Sequence, residues 1–224
     1  MNNIVVFTGS GISAESGLST FRDSNGLWEK YKIEDVATPE AFENNPSLVL
    51  DFYNIRRKQL LNSYPNDAHL ALNRLQEKFN LSIITQNIDD LHERSGSENI
   101  IHLHGKLTES KSIVNNKIYE IEGAELNIGD YCDNGSQLRP NVVWFGEDVP
   151  NMELAIEIVK SADIFIIIGT SLKVYPAASL IDYASNSERI ILIDPNSSNY
   201  EDIEVISEKA TIAVPRLVDQ LLEK

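Results

Sequence analysis

Cysteine is almost missing from this chain: Cys132 stands alone among 224 residues. One thiol cannot close an internal disulfide, so no disulfide framework exists, and a reducing, cytoplasmic location is expected. Long apolar runs are missing too. No stretch approaches the ~18 consecutive apolar residues of a membrane span, and no membrane partner is expected. The first residues carry no basic region and enter a strand-like run at once, so no secretory or transit signal is expected. Basic residues are few, 19 Lys and Arg against 34 Asp and Glu, which leaves a net charge of −15. That charge repels phosphates and argues against a nucleic-acid partner. It keeps the chain soluble and favours cationic partners such as lysine-rich protein segments. Repeats and low-complexity segments are absent, and the length suits one core with a small appended module. A monomer is expected.

What is present is an alternation. Apolar, β-branched runs at 4–8, 81–85, 100–103, 163–168 and 189–193 read as strands, and helical patterns fall at 46–62, 67–79, 151–161, 176–185 and 214–222. This predicts an α/β fold built on a doubly wound, mostly parallel sheet. The strand ends carry unusual polar text: Thr8-Gly9, Thr85-Gln86-Asn87, His102-Leu103-His104-Gly105, Gly169-Thr170-Ser171 and Asp194. In open α/β sheets that edge is where ligands bind. Two stretches break the alternation. Residues 19–39 are polar and loop-like around Phe21, Trp28 and Tyr31, and suit a cover over the site. Residues 106–138 hold several turn signals and read as a small β-rich insertion with one convincing strand, 117–121.

The strand at 4–8 runs into Gly9-Ser10-Gly11-Ile12-Ser13-Ala14-Glu15-Ser16-Gly17. Gly9-x-Gly11-x-x-Ala14 fits the looser dinucleotide fingerprint. A helix starting here would aim free N–H groups and its positive dipole end at a pyrophosphate. Gly11 would let the backbone approach that pyrophosphate, so Gly11→Val is expected to weaken binding while the chain still folds.

At this point the sequence resembles the sirtuins, NAD-dependent protein lysine deacylases. The 9–17 loop is similar to their G-A-G-x-S-x-x-S-G loop, with Ser10 in place of Ala. Thr20-Phe21-Arg22, Thr85-Gln86-Asn87-Ile88-Asp89, His104-Gly105, Arg139-Pro140, Val142-Val143-Trp144-Phe145-Gly146-Glu147 and Gly169-Thr170-Ser171-Leu172 match further signatures in order. The resemblance covers nearly the whole chain. It implies one catalytic domain over 1–224. A larger Rossmann-like part would comprise 1–35, 64–104 and 140–224, with a smaller module from a helical insertion at 36–63 and a β-rich one at 105–139.

The implied reaction cleaves nicotinamide from NAD while the acyl oxygen of a modified lysine attacks the ribose, giving O-acyl-ADP-ribose. A base must take a ribose proton, and imidazole titrates near neutrality. The H-G signature gives that role to His104. His102 is the nearby alternative, sharing its face only if the strand is regular there. His69 reads as serving the fold, and His92 as structural or solvent-facing. Asn87 and Asp89 would bind the nicotinamide amide and ribose, and capping of the helix before Leu91 is compatible with that. Gln86 would bind a ribose hydroxyl, Arg22 phosphate or ribose, and Phe21 would shield the reactive carbon from water. Gly9, Ser10, Gly11, Ser13, Ala14 and Glu15 are implied cofactor contacts. Gly169, Thr170 and Ser171 form a second phosphate and ribose loop. Asp194 stands where family members commonly have Asn. Val143, Trp144, Phe145, Gly146 and Glu147 would pair with the peptide backbone of an acyl-lysine substrate as an added strand.

Tyr53 and Arg56, three apart on one helix face, resemble the Y-x-x-R pair of the sirtuin subgroup that removes succinyl and malonyl groups. Ala37 matches that subgroup's small residue, and Val174-Tyr175-Pro176-Ala177-Ala178 is similar to its text. An arginine fork can grip a distal carboxylate while the tyrosine hydroxyl donates one more hydrogen bond. Other readings on the same fold are an NAD glycohydrolase or ADP-ribosyltransferase, or a non-catalytic NAD-sensing module. The retained 143–147 segment argues against the first pair, and His104, Asn87 and Asp89 argue against the last.

One departure from the family is plain. Its small module usually holds zinc through two C-x-x-C pairs, and 106–138 offers only Cys132. Tetrahedral structural zinc needs four ligands, so no metal is expected and the module must be held by β-pairing and packing. Elemental analysis of the purified protein should find zinc far below one per chain. Near-stoichiometric zinc would overturn this expectation.

Overall fold

Asn3–Thr8 (β1) lies inside the main sheet, and its alternation sorts the core. Ile4 and Val6 point to one face, Val5 and Phe7 to the other, as the period of a strand requires. The computed structural model describes residues 2–18, 31–197 and 202–223. Along the chain β1 is followed by α1 (Ile33–Val36), α2 (Pro39–Asn44), α3 (Pro46–Leu61), α4 (Asp67–Arg74), β2 (Asn80–Thr85), α5 (Leu91–Arg94), β3 (Ile100–His102), β4 (Gly105–Ser112), β5 (Ile118–Glu120), β6 (Leu138–Val142), α6 (Met152–Lys160), β7 (Ile164–Ile168), β8 (Arg189–Ile193), β9 (Glu204–Ile206) and α7 (Ala210–Leu222).

The large sheet has the order β3-β2-β1-β7-β8-β9, with every pairing parallel. Helices α4 and α7 cover the Ile4 and Val6 face. Helix α6 and a 3-10 stretch, Ala177–Tyr183, cover the Val5 and Phe7 face. This is the Rossmann-like doubly wound architecture. Its strand order reverses between β1 and β7, so the crevice opens beyond Thr8 and Ile168. A second, antiparallel sheet, β5-β4-β6, packs with α1, α2 and α3 around a separate core containing Phe42, Phe52, Leu107, Leu126, Leu138 and Trp144. Strand β6 runs across position 140, where the sequence placed the return to the larger part.

Local chemistry explains the helix starts. Thr38 accepts the Ala41 N–H at 3.1 Å with Pro39 in the first turn, and Asn45 accepts the Leu48 N–H at 3.2 Å with Pro46 in the first turn. Several expectations change. The 176–185 pattern is a 3-10 stretch rather than an α-helix. The last helix begins at Ala210, ahead of 214, and carries Pro215 within it. Helix α4 ends at Arg74 and a 3-10 turn, Leu75–Glu77, completes the expected 67–79 segment. The insertion has three strands rather than one. Residues 31–39 are not loop throughout: α1 lies there and Pro39 opens α2. The rest of the expected cover, with Phe21, Arg22 and Trp28, lies outside the described residues. No helix among the described residues is long and apolar enough to cross a membrane.

His69 and His92 pack ring to ring beneath the sheet edge, centroids 4.9 Å apart, and both are buried. His69 closes a capping box with Asn66, and His92 Nε2 meets Thr8 Oγ1 at 3.0 Å. His92 is therefore structural, not solvent-facing. Burial pushes His69 down to about 4 from 6.5, and burial together with the neighbouring His69 pushes His92 down as well. Between about 4 and 6.5 the unfolded chain binds a proton at position 69 that the folded chain refuses. Stability should therefore fall as pH drops through that window, by about 1.4 kcal/mol per unit for one such histidine. Urea midpoints at pH 7.5, 5.5 and 4.5 should show a shallower slope for His69→Gln than for wild type. Equal slopes would acquit His69.

Candidate active site

Two glycine loops meet at the crevice. The Gly9 N–H donates to the Ile168 carbonyl at 3.0 Å, and the Gly11 N–H to the Gly169 carbonyl at 2.8 Å. A Cβ on Gly11 would lie 2.6 Å from Gly169 Cα, and one on Gly169 (φ +63°) would lie 2.4 Å from the Ile12 nitrogen. These glycines are required because the loops press on each other. Gly11→Val would displace protein backbone, so the expectation that such a chain folds normally does not hold. Nor does a helix open here: the loop makes two three-residue 3-10 turns, Ser10–Ile12 and Ala14–Ser16.

Ser13 ties this loop to the end of β2. Its hydroxyl donates to Asp89 Oδ2 at 3.0 Å and accepts from Asn87 Nδ2 at 3.2 Å. Asn87 Nδ2 also donates to the Gly9 carbonyl at 3.1 Å, which leaves Oδ1 as the acceptor it can offer a ligand. Asp89 is buried. Burial raises its carboxyl, while hydrogen bonds from the Leu91 N–H and Ser13 only partly oppose the rise. The Asp89–Leu91 bond, 3.2 Å, is the expected helix-start contact. Gln86 Nε2 donates to Thr170 Oγ1 at 3.0 Å, linking the second loop. Glu15 is turned toward α7, accepting from Lys209 Nζ at 3.1 Å and Thr211 Oγ1 at 2.6 Å. Asp194 Oδ1 accepts the Asn196 N–H at 2.8 Å.

The 86–89 loop is held from the other side by the β3–β4 corner. Three successive carbonyls each receive a hydrogen bond: Gln86 from His104 Nδ1 at 2.9 Å, Asn87 from His102 Nδ1 at 3.1 Å, and Ile88 from the Leu107 N–H at 2.7 Å. Because His104 Nδ1–H donates to a carbonyl, its neutral ring carries a bare lone pair on Nε2. Burial lowers its pKa and the Gln86 bond offsets part of that, so the ring is neutral below the usual imidazole range. Gly105 (φ +78°) has no room for a side chain, since a Cβ would sit 2.0 Å from the Asn141 carbonyl oxygen. The glycine after His104 is thus demanded by the β4–β6 crossing.

Across the crevice, the Val143 N–H donates to the His104 carbonyl at 2.9 Å and the Phe145 N–H to the Ala37 carbonyl at 3.0 Å. Glu147 is engaged within its own segment. It accepts from Arg139 at 2.6 and 3.0 Å and from the Trp144 N–H at 2.7 Å. Trp144 points inward, its Nε1–H donating to the Tyr53 hydroxyl at 2.9 Å. Arg56 is half-buried beside Tyr53, its guanidinium 5.8 Å from the Phe52 ring centroid. Burial pushes the Arg56 pKa down and the Tyr53 pKa up.

All of the site residues expected from the sequence, except Phe21 and Arg22, which lie outside the described residues, line one cavity of about 870 Å³. Gly146 and Ala37 line it, as do Ala14 and Ser171. That volume and polar lining suit a dinucleotide: side-chain amides (Gln86, Asn87), carboxylates (Asp89, Asp194) and hydroxyls (Ser13, Thr170) converge on the cleft among apolar side chains such as Ile33, Leu60 and Val149. The sequence reading missed Ile33, Gln59 and Lys209, which also line it. Gln59 was findable, since it lies one further turn along the Tyr53 and Arg56 face.

Fold and site together define a Rossmann-like α/β protein with its cleft at the topological switch point. A family model described as Sir2 family matches residues 9–176, and the chain belongs to that family. It is 50% identical over 231 residues to a protein of Bacteroides thetaiotaomicron named NAD-dependent protein deacylase, covering 99% of each chain. A Helicobacter pylori protein of the same name is 50% identical over 227 residues, covering 100% of this chain and 99% of its own. Among solved structures, a Sir2 homolog–NAD complex superposes with a TM-score of 0.90 at 40% identity, over 99% of this chain and 90% of that one. A Sir2 protein bound to acetylated peptide gives 0.83 at 29% identity, over 99% and 94%.

If His104 is the base, His104→Ala should cut turnover about 100-fold or more, the scale of a lost general base, while NAD titration stays near wild type. The acid limb of kcat/KM should lie below 6.5, because burial lowers this imidazole. A normal rate in His104→Ala would remove it from the chemistry.

Proposed function

We propose that this chain, an NAD-dependent protein deacylase, prefers lysines carrying acidic acyl groups, succinyl or malonyl, and releases nicotinamide and O-acyl-ADP-ribose. Bound NAD supplies the ribose carbon that takes the acyl oxygen. Asn87 and Asp89 would hold the nicotinamide ribose end, Gln86 and the 169–171 loop the ribose and phosphates, and Asp194 the adenosine ribose. His104 Nε2 takes a proton from a ribose hydroxyl. The 143–147 segment would carry the peptide.

The observation that carries the acyl preference is the Tyr53 hydroxyl. It accepts from Trp144, so its own proton remains available to donate. Arg56 lines the same cavity. A short apolar acyl chain needs neither group, whereas a buried carboxylate needs both. The charge of the whole chain favours the lysine-rich surroundings of such a substrate.

The small module is proposed to hold without zinc. What supports this is the binding around Cys132, whose thiol is engaged by Ser112, Asn134 and Ser136. Arg57 and Asn54 of α3 also tie the module down: Arg57 reaches the Leu107 and Ala124 carbonyls at 2.7 and 2.9 Å, and Asn54 bonds both backbone groups of Leu126.

Arg56→Met should lower kcat/KM for a succinyl-lysine peptide roughly 10- to 150-fold, the worth of hydrogen bonds to a charged group. Acetyl-lysine removal should change little or improve. A parallel fall on both substrates would make Arg56 structural and remove the basis for the acidic preference.

A further inference from the structure

Behind the cavity wall, outside the groups already given chemistry, His102, Glu93 and Lys106 form a hydrogen-bonded ionisable cluster. His102 ends β3, is 7% exposed, and does not itself line the cavity. Its Nδ1 lies 3.1 Å from the Asn87 carbonyl oxygen and its Nε2 lies 2.8 Å from Glu93 Oε1. Lys106 Nζ meets the same carboxylate oxygen at 2.9 Å. The His102 carbonyl is itself fixed by Asn151 Nδ2 at 2.8 Å.

A carbonyl and a carboxylate can only accept, so a ring that bonds both donates through both nitrogens. Burial alone would raise the Glu93 carboxyl, but the bonds from His102 and Lys106 outweigh it and hold it at about 2. Glu93 is therefore an anion that anchors the outer nitrogen, while the inner nitrogen grips the cofactor loop. Asp89 and His92 also face this ring electrostatically.

We infer that His102 is a positioning residue for NAD cleavage: braced by Glu93 and Lys106, it clamps the Asn87 carbonyl and so aims the Asn87 side chain and Asp89 into the cleft. Asn87 has no other fixed point on this side. Its amide N–H is held by Thr85 Oγ1 at 3.0 Å, and its side-chain donors by Gly9 and Ser13, all on the glycine-loop side. Without the His102 bond the peptide unit between Asn87 and Ile88 can tilt, and Oδ1 moves with it. The inference rests on Asn87 and Asp89 being cofactor contacts.

Two isosteric fragments of imidazole separate the two bonds. In His102→Asn the amide nitrogen falls near the place of Nδ1 and can still reach the Asn87 carbonyl. In His102→Gln it falls near Nε2 and reaches Glu93 alone. With NAD and either acetyl- or succinyl-lysine peptide, nicotinamide release by His102→Gln should fall about ten-fold or more, the scale of one buried carbonyl left unbonded. Its KM for NAD should rise and its KM for peptide should stay near wild type. His102→Asn should recover to within about three-fold of wild type, although it leaves the larger void and the lower thermal midpoint. A merely structural role predicts the reverse order, with activity following the midpoints. His102→Gln at the wild-type rate, or His102→Asn as the weaker enzyme, overturns the clamp. Asn87→Ala in the same assay separates the two layers. If it is inactive while His102→Gln is normal, only the clamp fails. If Asn87→Ala is itself active, the loop does not bind NAD as read, and the clamp falls with it.

Discussion

The contact between the Gly9–Gly11 turn and Gly169 is the constraint from which the cleft follows. Parallel strands β1 and β7 end side by side, and their chains must leave in different directions to build the two faces of the sheet. They can do so at backbone contact only because neither loop carries a Cβ at the crossing. That closeness brings Gln86 onto Thr170 and Asn87 onto the Gly9 carbonyl. A wider crossing would leave the Gly11 N–H without the Gly169 carbonyl, and an unmade buried backbone bond costs on the order of 1–3 kcal/mol. The glycines thus serve the protein's own packing first, and the concavity is its consequence.

The second constraint is the row of three carbonyls at 86–88, bonded in turn from positions 104, 102 and 107. It satisfies the backbone of this polar loop from behind, while the side chains of Gln86, Asn87 and Asp89 line the cavity on the other side. The same row fixes the tautomer of His104. A proton committed to the Gln86 carbonyl cannot sit on Nε2 of a neutral ring, so the geometry of the loop decides which ring nitrogen faces the cleft with a lone pair.

The large sheet was legible in the sequence because its inner strands are buried on both faces and therefore run apolar and mostly β-branched, as at Ile164–Ile168. The polar strand ends gave the edge of the site, and capping residues such as Thr38 and Asn45 stand directly before Pro39 and Pro46. The small sheet was mostly illegible. Strand β4 reads Gly-Lys-Leu-Thr-Glu-Ser-Lys-Ser, with an irregular register between Gly105 and Ser110, and β6 contains Pro140. A bulge breaks the period-two pattern, and a proline argues against a strand. The glycine loop was placed correctly but given the wrong local structure, because a G-x-G-x-x-A spacing does not distinguish an α-helix from two 3-10 turns. Glu147 reads in sequence like a substrate contact, yet its carboxylate closes the 144–147 turn on Arg139, whose guanidinium also stacks 3.3 Å from the Trp144 ring centroid.

Helix α3 shows why the Tyr53 and Arg56 pair and the small module cannot be considered separately. Tyr53 and Arg56 lie one residue before Asn54 and Arg57, and one residue is about 100° of rotation on a helix. The first pair faces the cavity, while the second faces the β-rich module and bonds the backbone at 107, 124 and 126. The buried Arg57 is lowered to about 10 by burial and accordingly uses Nε and Nη1 on the Leu107 and Ala124 carbonyls and the Asn54 side chain. A guanidinium spreads its charge over several such bonds, where an ammonium would not. Leu107 is also the residue whose N–H holds Ile88. The module is thus connected by one residue to the 86–89 loop and by one helix to the Tyr53 and Arg56 side of the cleft. A loss of packing in the β-rich insertion would therefore reach both sides of the cavity, even though no residue of β5 lines it.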